Sequence, residues 1–234
     1  ALLAAAAGAA MAVVDGSLSG VAFLTALMSS MIVLVTLVPM RSAGYLTDGA
    51  QLLGIVRGDP VVARRLTLAT LIGRSYGGTR PRELDVSVLD RVRGSGEAGI
   101  DASVLAYEAA IALDRGDFAT ARRAYVALAA MLHETPHEKL PVATRRTFAL
   151  PIAVWLAHHE RDPSLARAWL AYTRGGFVDP AGVAYAEAGI AAAEGRSDDA
   201  RRHLGDARRA LARLADRGAA IPLLERIEAL EAAG

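Results

Sequence analysis

Residues 20–40 read GVAFLTALMSSMIVLVTLVPM, an apolar run without a single charge. A helix that is hydrophobic on every face has to be surrounded, by protein core or by lipid. The stretch is long enough to cross ~30 Å of hydrocarbon, which takes about 20 residues, and its lack of a polar side argues against a core helix of a soluble domain. Pro39 ends it, because a proline supplies no N–H to continue the ladder. A few residues later Thr47-Asp48-Gly49 opens a new helix. A carboxylate this close to the end of a spanning helix is costly unless it is used.

The chain begins ALLAAAAGAAMAVV, already inside an apolar run. The basic segment that starts a signal peptide is missing. The run is also too short to span alone. It reads as the latter part of a membrane helix that starts upstream of Ala1. The turn Asp15–Gly20 would join residues 1–14 and 20–38 into a transmembrane hairpin. Asp15 is the single charge before Arg41, while Arg57, Arg64 and Arg65 follow soon after. The positive-inside rule then predicts a multi-pass protein of the cell membrane, partnered by the lipid bilayer, with everything after Arg41 in the cytoplasm.

Charge is dense beyond Arg57, yet the 234 residues sum to +1 at pH 7, so no nucleic-acid partner is expected. There is no cysteine, hence no disulfide and no thiolate metal site. Of 26 basic residues only Lys139 is lysine, a coding bias with no mechanism attached. Abundant Ala, Leu and Arg with few aromatics favour an all-α chain. Helices are expected over 48–57 and 60–73, divided by Gly58-Asp59-Pro60, with Pro60 at a first helical position. GRSYGGTRPREL and RGSGEAG are jointed segments around a short helix at 84–93. The expected organisation is a membrane part at 1–73, a linker at 74–100 and helical repeats at 101–234.

The repeats are visible as three similar stretches. IALDRGDFATARRAY (111–125), LAHHERDPSLARAWL (156–170) and IAAAEGRSDDARRHL (190–204) each end one helix, turn tightly and begin another. Ala121, Ala166 and Ala200 stand where the two helices would cross, a place that needs a small residue. Tyr125, Leu170 and Leu204 follow one turn on. Ala166 and Ala200 are separated by the 34-residue period of tetratricopeptide repeats. A longer interval precedes Ala166, and its extra residues fall in a polar, proline-bearing loop at 133–141. The expected architecture is a transmembrane hairpin followed by a tetratricopeptide-like α-solenoid, capped by a helix at 219–232.

TLVPMRSAGYLTDGAQLL (36–53) resembles the second metal-binding segment of the site-2 protease family, the membrane-embedded zinc metallopeptidases. Pro39 matches the family's proline and Asp48-Gly49 its Asp-Gly pair. Thr36 stands in place of the family's Asn, and the interval from Pro39 to Asp48 is longer than the familiar one. Arg80-Pro81-Arg82 also resembles a stretch that follows the peptidase core in a bacterial branch, with Leu84 where that branch has Trp. The resemblance implies Zn²⁺ as cofactor and Asp48 as third protein ligand, beside an open position for water. It further implies that the two zinc-binding histidines and the general-base glutamate of a His-Glu-x-x-His helix lie upstream of Ala1. No catalytic residue would then belong to these 234 residues. On the residues alone, Asp48-x-x-Gln51 equally reads as a capping box, with Thr47 as the other candidate cap.

His133-Glu134-Thr135-Pro136-His137 spells the zincin motif, but Pro136 forbids the helix that would put both histidines on one face. His158, His159 and His203 read as surface or packing residues. Two functions follow. The first is the C-terminal part of an intramembrane zinc metalloprotease that hydrolyses peptide bonds in or near membrane segments, its repeat groove binding a peptide substrate or regulator. The second is a non-catalytic membrane-anchored scaffold, or a pseudoprotease, that assembles protein partners.

Overall fold

A computed structural model of the chain describes residues 17–42 and 45–233. The expected helix over residues 1–14 lies outside the described residues, as do Asp15 and Gly16. The described chain is helical, with eleven α-helices and one minimal antiparallel hairpin. By contacts it divides into two units, residues 1–63 and 64–234.

In the first unit, α1 runs Ser17–Leu37, so Ser17 to Gly20 form a helical turn where a loop was expected. Residues Gly20–Leu37 are long and apolar enough to cross a membrane, and large apolar side chains are exposed all round the helix. Its two threonines do not need outside partners. Thr25 Oγ1 donates to the Val21 carbonyl (2.8 Å) and Thr36 Oγ1 to that of Ile32 (2.9 Å), satisfying the hydroxyls within the helix. Beyond Pro39, β1 (Arg41–Ser42) and β2 (Tyr45–Leu46) pair antiparallel, Arg41 opposite Leu46. The chain then enters α2 (Asp48–Val56). Gly58 takes a left-handed φ of 67° and closes α2, with the Asp59 N–H bonded to the Gly54 carbonyl. Asp59 Oδ1 accepts from the Val61 N–H, and Pro60 opens α3 (Pro60–Tyr76).

The second unit takes in the rest of α3, a 3₁₀ turn (Pro81–Glu83) and α4 (Ser87–Val92). Three helix pairs follow: α5 (Ala98–Asp114) with α6 (Phe118–Glu134), α7 (Val142–Trp155) with α8 (Pro163–Tyr172), and α9 (Pro180–Ala193) with α10 (Ser197–Leu211). Partners within a pair pack along their lengths, and the first helices α5, α7 and α9 touch in succession. Ala121 and Ala166 are fully buried and Ala200 nearly so, where the two helices of each pair meet. The last helix is α11 (Arg217–Ala233).

The three intra-pair turns share one design with one exception. Gly116 and Gly195 take left-handed φ values of 78° and 76°, and the N–H groups of Asp117 and Arg196 return to the carbonyls of Ala112 and Ala191. In the middle pair Arg161 stands at that position, the sole described non-glycine with positive φ (52°). Residues Leu156–Glu160 widen into a π turn, and the Asp162 N–H returns one residue further back, to Leu156. The middle repeat thus absorbs one extra residue, which is what a π turn is. Asp117 and Asp162 then cap α6 and α8 through the N–H groups of Thr120 and Leu165.

Arg80 joins distant parts of this unit. Its Nε and Nη2 grip Asp114 at the end of α5, and Nη1 and Nη2 also reach Glu225 of α11 at 2.6 Å. The Asp114 side chain is 2% exposed and that of Arg80 12%. Burial alone would push the Asp114 carboxyl up. Hydrogen bonds from the Arg80 guanidinium and the Arg82 N–H, with the charges of Arg80 and Arg226, outweigh that and hold it below the usual carboxylate range. Removing one member of such a pair leaves a buried charge alone. Arg80→Ala is expected to destabilise residues 64–234 by about 3 kcal/mol in urea denaturation. Glu225→Ala, which leaves the Arg80–Asp114 pair intact at a largely exposed acid, should move the midpoint far less.

Candidate functional site

Asp48 was the one metal-ligand candidate in the sequence, so its surroundings decide what it can do. Thr47, not Asp48, is the N-cap of α2: its backbone is extended and its hydroxyl accepts from the Ala50 N–H at 3.3 Å. The same Oγ1 accepts from the Met40 N–H (3.1 Å) and donates to the Val38 carbonyl (2.7 Å). The Thr47 N–H bonds the Met40 carbonyl (3.1 Å). One hydroxyl therefore spends its donor and both lone pairs on tying the end of α1 to the start of α2. Gln51 does reach back, but as a donor to the Leu46 carbonyl. The capping job is filled without Asp48.

Asp48 occupies the first helical position, exposed, and among the described residues its carboxylate has no hydrogen-bond or ion-pair partner. The N-terminal end of α2 favours its negative charge there. Gly49 beside it is buried, and for a steric reason. A Cβ at Gly49 would lie 1.8 Å from the Leu37 carbonyl oxygen, so the helices meet backbone to backbone. Thr47 ties this corner, Gly49 lets it close, and Asp48 is presented at its surface. Gly49→Ala should open the corner at a cost of about 2–3 kcal/mol, the upper range for overpacking. Thermal unfolding in detergent, with limited proteolysis across 38–48, reads it out; unchanged melting and cleavage would show the crossing to be loose.

The zincin-like segment does not form the continuous helix that a zincin motif requires. His133 lies in the last turn of α6 and Glu134 ends it. Thr135 is extended (φ −71°, ψ 133°), as a residue before proline prefers to be. Arg145 seals this helix end. It is buried and donates to the carbonyls of Leu132, Thr135 and Leu140, taking up carbonyls the helix leaves unpaired. His133 and His137 are exposed and do not share a helix face. Among the described residues no group of three or more His, Cys, Asp or Glu could hold a metal.

His158 and His159, read from sequence as isolated, belong to an aromatic cluster. His159 stacks on Trp155 (centroids 4.5 Å) and leans on Phe118, while Trp155 meets Tyr125. His158 lies flat on Tyr185 at 3.9 Å, and its Nε2 bonds the Tyr185 carbonyl at 2.7 Å. A carbonyl only accepts, so Nε2 carries the hydrogen. Gly189 leaves room for the ring, for a Cβ there would come within 2.6 Å of it. Sequence periodicity could not reveal this cluster, because the π turn rotates His158 and His159 off a regular helix face.

Burial pushes the His158 imidazole down to about 4; the Tyr185 carbonyl opposes this, and the charges of His159 and Arg226 add to it. Unfolded, it would take a proton near the ordinary value of about 6.5. Between those values the unfolded chain binds more protons, so stability falls as pH drops from about 6.5 towards 4. The full effect is ~3 kcal/mol. Denaturation of the wild type at successive pH values through this window should show the slope, and His158→Gln should remove most of it.

Comparison of the chain with family models finds no match, and comparisons with curated proteins and with solved structures likewise find none.

Proposed function

We propose that residues 17–63 belong to the core of a site-2-protease-like membrane zinc metallopeptidase, with Asp48 as its third metal ligand. The observation that carries this reading is the division of labour at the corner: Thr47 supplies the cap, and Asp48 is left as an exposed carboxylate without a partner among the described residues. An exposed carboxylate at that place, with no partner among the described residues, fits one position of a three-ligand zinc set. The other ligands, two histidines on a His-Glu-x-x-His helix, come from a segment before Ala1. Bound zinc would supply an activated water for hydrolysis of a peptide bond in or near a membrane segment. The chain's own residues hold the carboxylate in place: Thr47 fixes the start of α2, and Gly49 brings it against the end of α1.

In this reading α1 is one span of a multi-pass protein of the cell membrane, and residues 101–234 are cytoplasmic. The three helix pairs are tetratricopeptide-like units, and their role is to bind a protein or peptide, substrate or regulator. Support comes from the common turn geometry, the buried alanines at the crossings and the 34-residue interval from Ala166 to Ala200.

The test is Asp48→Asn in the complete gene product, purified from membranes, with zinc content and cleavage of a membrane-segment substrate as readouts. Bound zinc and cleavage are expected to be lost while the melting temperature stays within a degree or so, because Asp48 is not the cap and its surface substitution costs about 0.5 kcal/mol or less. Thr47→Val is the control that should lower the melting temperature, by a cap's worth of about 1 kcal/mol. Absence of zinc from the wild type, with Asp48→Asn silent, would instead make this a membrane-anchored helical scaffold.

A further inference from the structure

The final helix packs on α10, at the end of the array where a cap is expected, and its side chains also reach further. Three observations connect α11 with residues beyond α10. At its start, Asp216 accepts from the Ser75 hydroxyl (2.7 Å) and from the Ala219 N–H, and its charge acts on Tyr107 of α5. Midway, Glu225 meets Arg80, which holds Asp114 at the other end of α5. Towards its end, Ile227 is fully buried in a cluster with Tyr185 and Ala188 of α9 and Leu204 of α10, with Val154 of α7 against them. The charge of Arg226 acts on Asp114, Tyr125, His158, His159 and Tyr185, residues of all three pairs. Helix α11 thus packs chiefly on α10 and reaches, through Glu225 and Ile227, to Arg80 and to side chains of α9 and α7.

Helix α11 is weakly held in that position. Among the residues of α11 whose burial is described, Gly218, Pro222 and Ile227 are buried, whereas the shorter α9 buries nine. Pro222 lies inside α11 and deprives it of a backbone hydrogen bond. Leu230, 40% exposed, borders a cavity of ≈ 480 Å³ that it shares with His158, Gly189 and Leu204. The last turn of α11 therefore does not fill the space beneath it. What remains is electrostatic: Glu225 on Arg80, and Glu228 and Glu231 on Arg208 of α10 at 3.0 and 2.8 Å. The Arg208 pairs, half-exposed at the arginine, are individually weak and are screened by salt. Elements with few buried apolar contacts open at the low end of a protein's local stabilities.

We propose that α11 is an exchangeable occupant of a helix-binding face on residues 64–214, and that the partner replacing it is an amphipathic helix with an acidic flank. The resident helix defines that chemistry. Leu223 and Ile227 supply an apolar stripe, and Glu225, Glu228 and Glu231 supply the carboxylates that Arg80 and Arg208 receive. The inference rests on the partner-binding role proposed for the helix pairs and is independent of zinc. Failure of the Asp48 test leaves it untouched, and its own failure leaves the metal reading untouched.

Hydrogen–deuterium exchange on the complete chain tests the first half. Amides of α11 should exchange at least ~10-fold faster than those of α9 and α10, and faster still at high salt. Equal protection of α11 and α9 overturns the proposal, making α11 a fixed part of the bundle. The second half uses a fluorescent synthetic peptide of residues 216–233 as probe. Glu225→Arg sets a cation against Arg80 and leaves the apolar contacts in place. The labelled peptide should bind this variant at least ~10-fold more tightly than wild type, because less of the face is self-occupied. Ile227→Ser is the second variant, releasing α11 from the apolar side. If exchange shows α11 released in either variant, with α9 and α10 still protected, and the peptide still does not bind, the face is no helix receptor.

Discussion

The unit of residues 64–234 depends on one guanidinium. Asp114 closes α5 at the end where a helix already presents unpaired carbonyls, an unfavourable place for a carboxylate. It is buried there as well. Arg80 makes the arrangement tolerable, since its planar fork grips both Asp114 oxygens and still has Nη donors for Glu225. A lysine has one charge centre and could not hold both acids in this geometry. The Arg82 N–H adds a bond to Asp114, and Arg115 returns two to the Arg82 carbonyl, so residues 80–82 are fastened to the end of α5. The position of α11 follows. With Glu225 bound to Arg80, and Gly218 so close to Thr79 that a Cβ would lie 2.1 Å from its carbonyl oxygen, the first half of α11 is fixed against residues 79–80.

Local elements were legible in the sequence where one residue type has one physical use. Pro60 opens α3, Gly116 and Gly195 make left-handed turns, and buried alanines mark the crossings. Pro136 ends the helix that would have made residues 133–137 a zinc motif. Each of these is a steric or hydrogen-bonding restriction acting within a few residues. The middle turn was harder, because Arg161 holds a backbone conformation that an L side chain seldom adopts and leaves no glycine to signal it. The extra residue absorbed in the π turn also moves His158 and His159 away from the faces that a 3.6-residue period assigns them.

What the sequence could not convey is non-local. Arg80 and Glu225 are 145 positions apart, and Ser75 and Asp216 are 141. Nothing in the spacing of either residue points to the other. An amphipathic helix at the end of a repeat array reads as a cap, since a cap also needs one apolar and one charged side. The pairing of Asp216, Glu225, Glu228 and Glu231 with Ser75, Arg80 and Arg208 shows where its acidic side chains attach it.

The corner at residues 37–51 shows why motif reading and cap reading both had grounds. Thr-Asp-Gly offers two residues able to cap a helix and one able to let helices cross. The β-branched threonine is the better knot, because its hydroxyl can donate and accept at once, whereas an ionised carboxylate can only accept. The bond to the Val38 carbonyl requires a donor, and Asp48 could not supply it. Placing threonine at the cap therefore moves aspartate one position into the helix, where it is exposed and takes no part in the bonds that define the corner. A residue so placed adds little to the fold. That separation of tasks makes Asp48→Asn informative: it changes the proposed ligand with the knot and the crossing left intact.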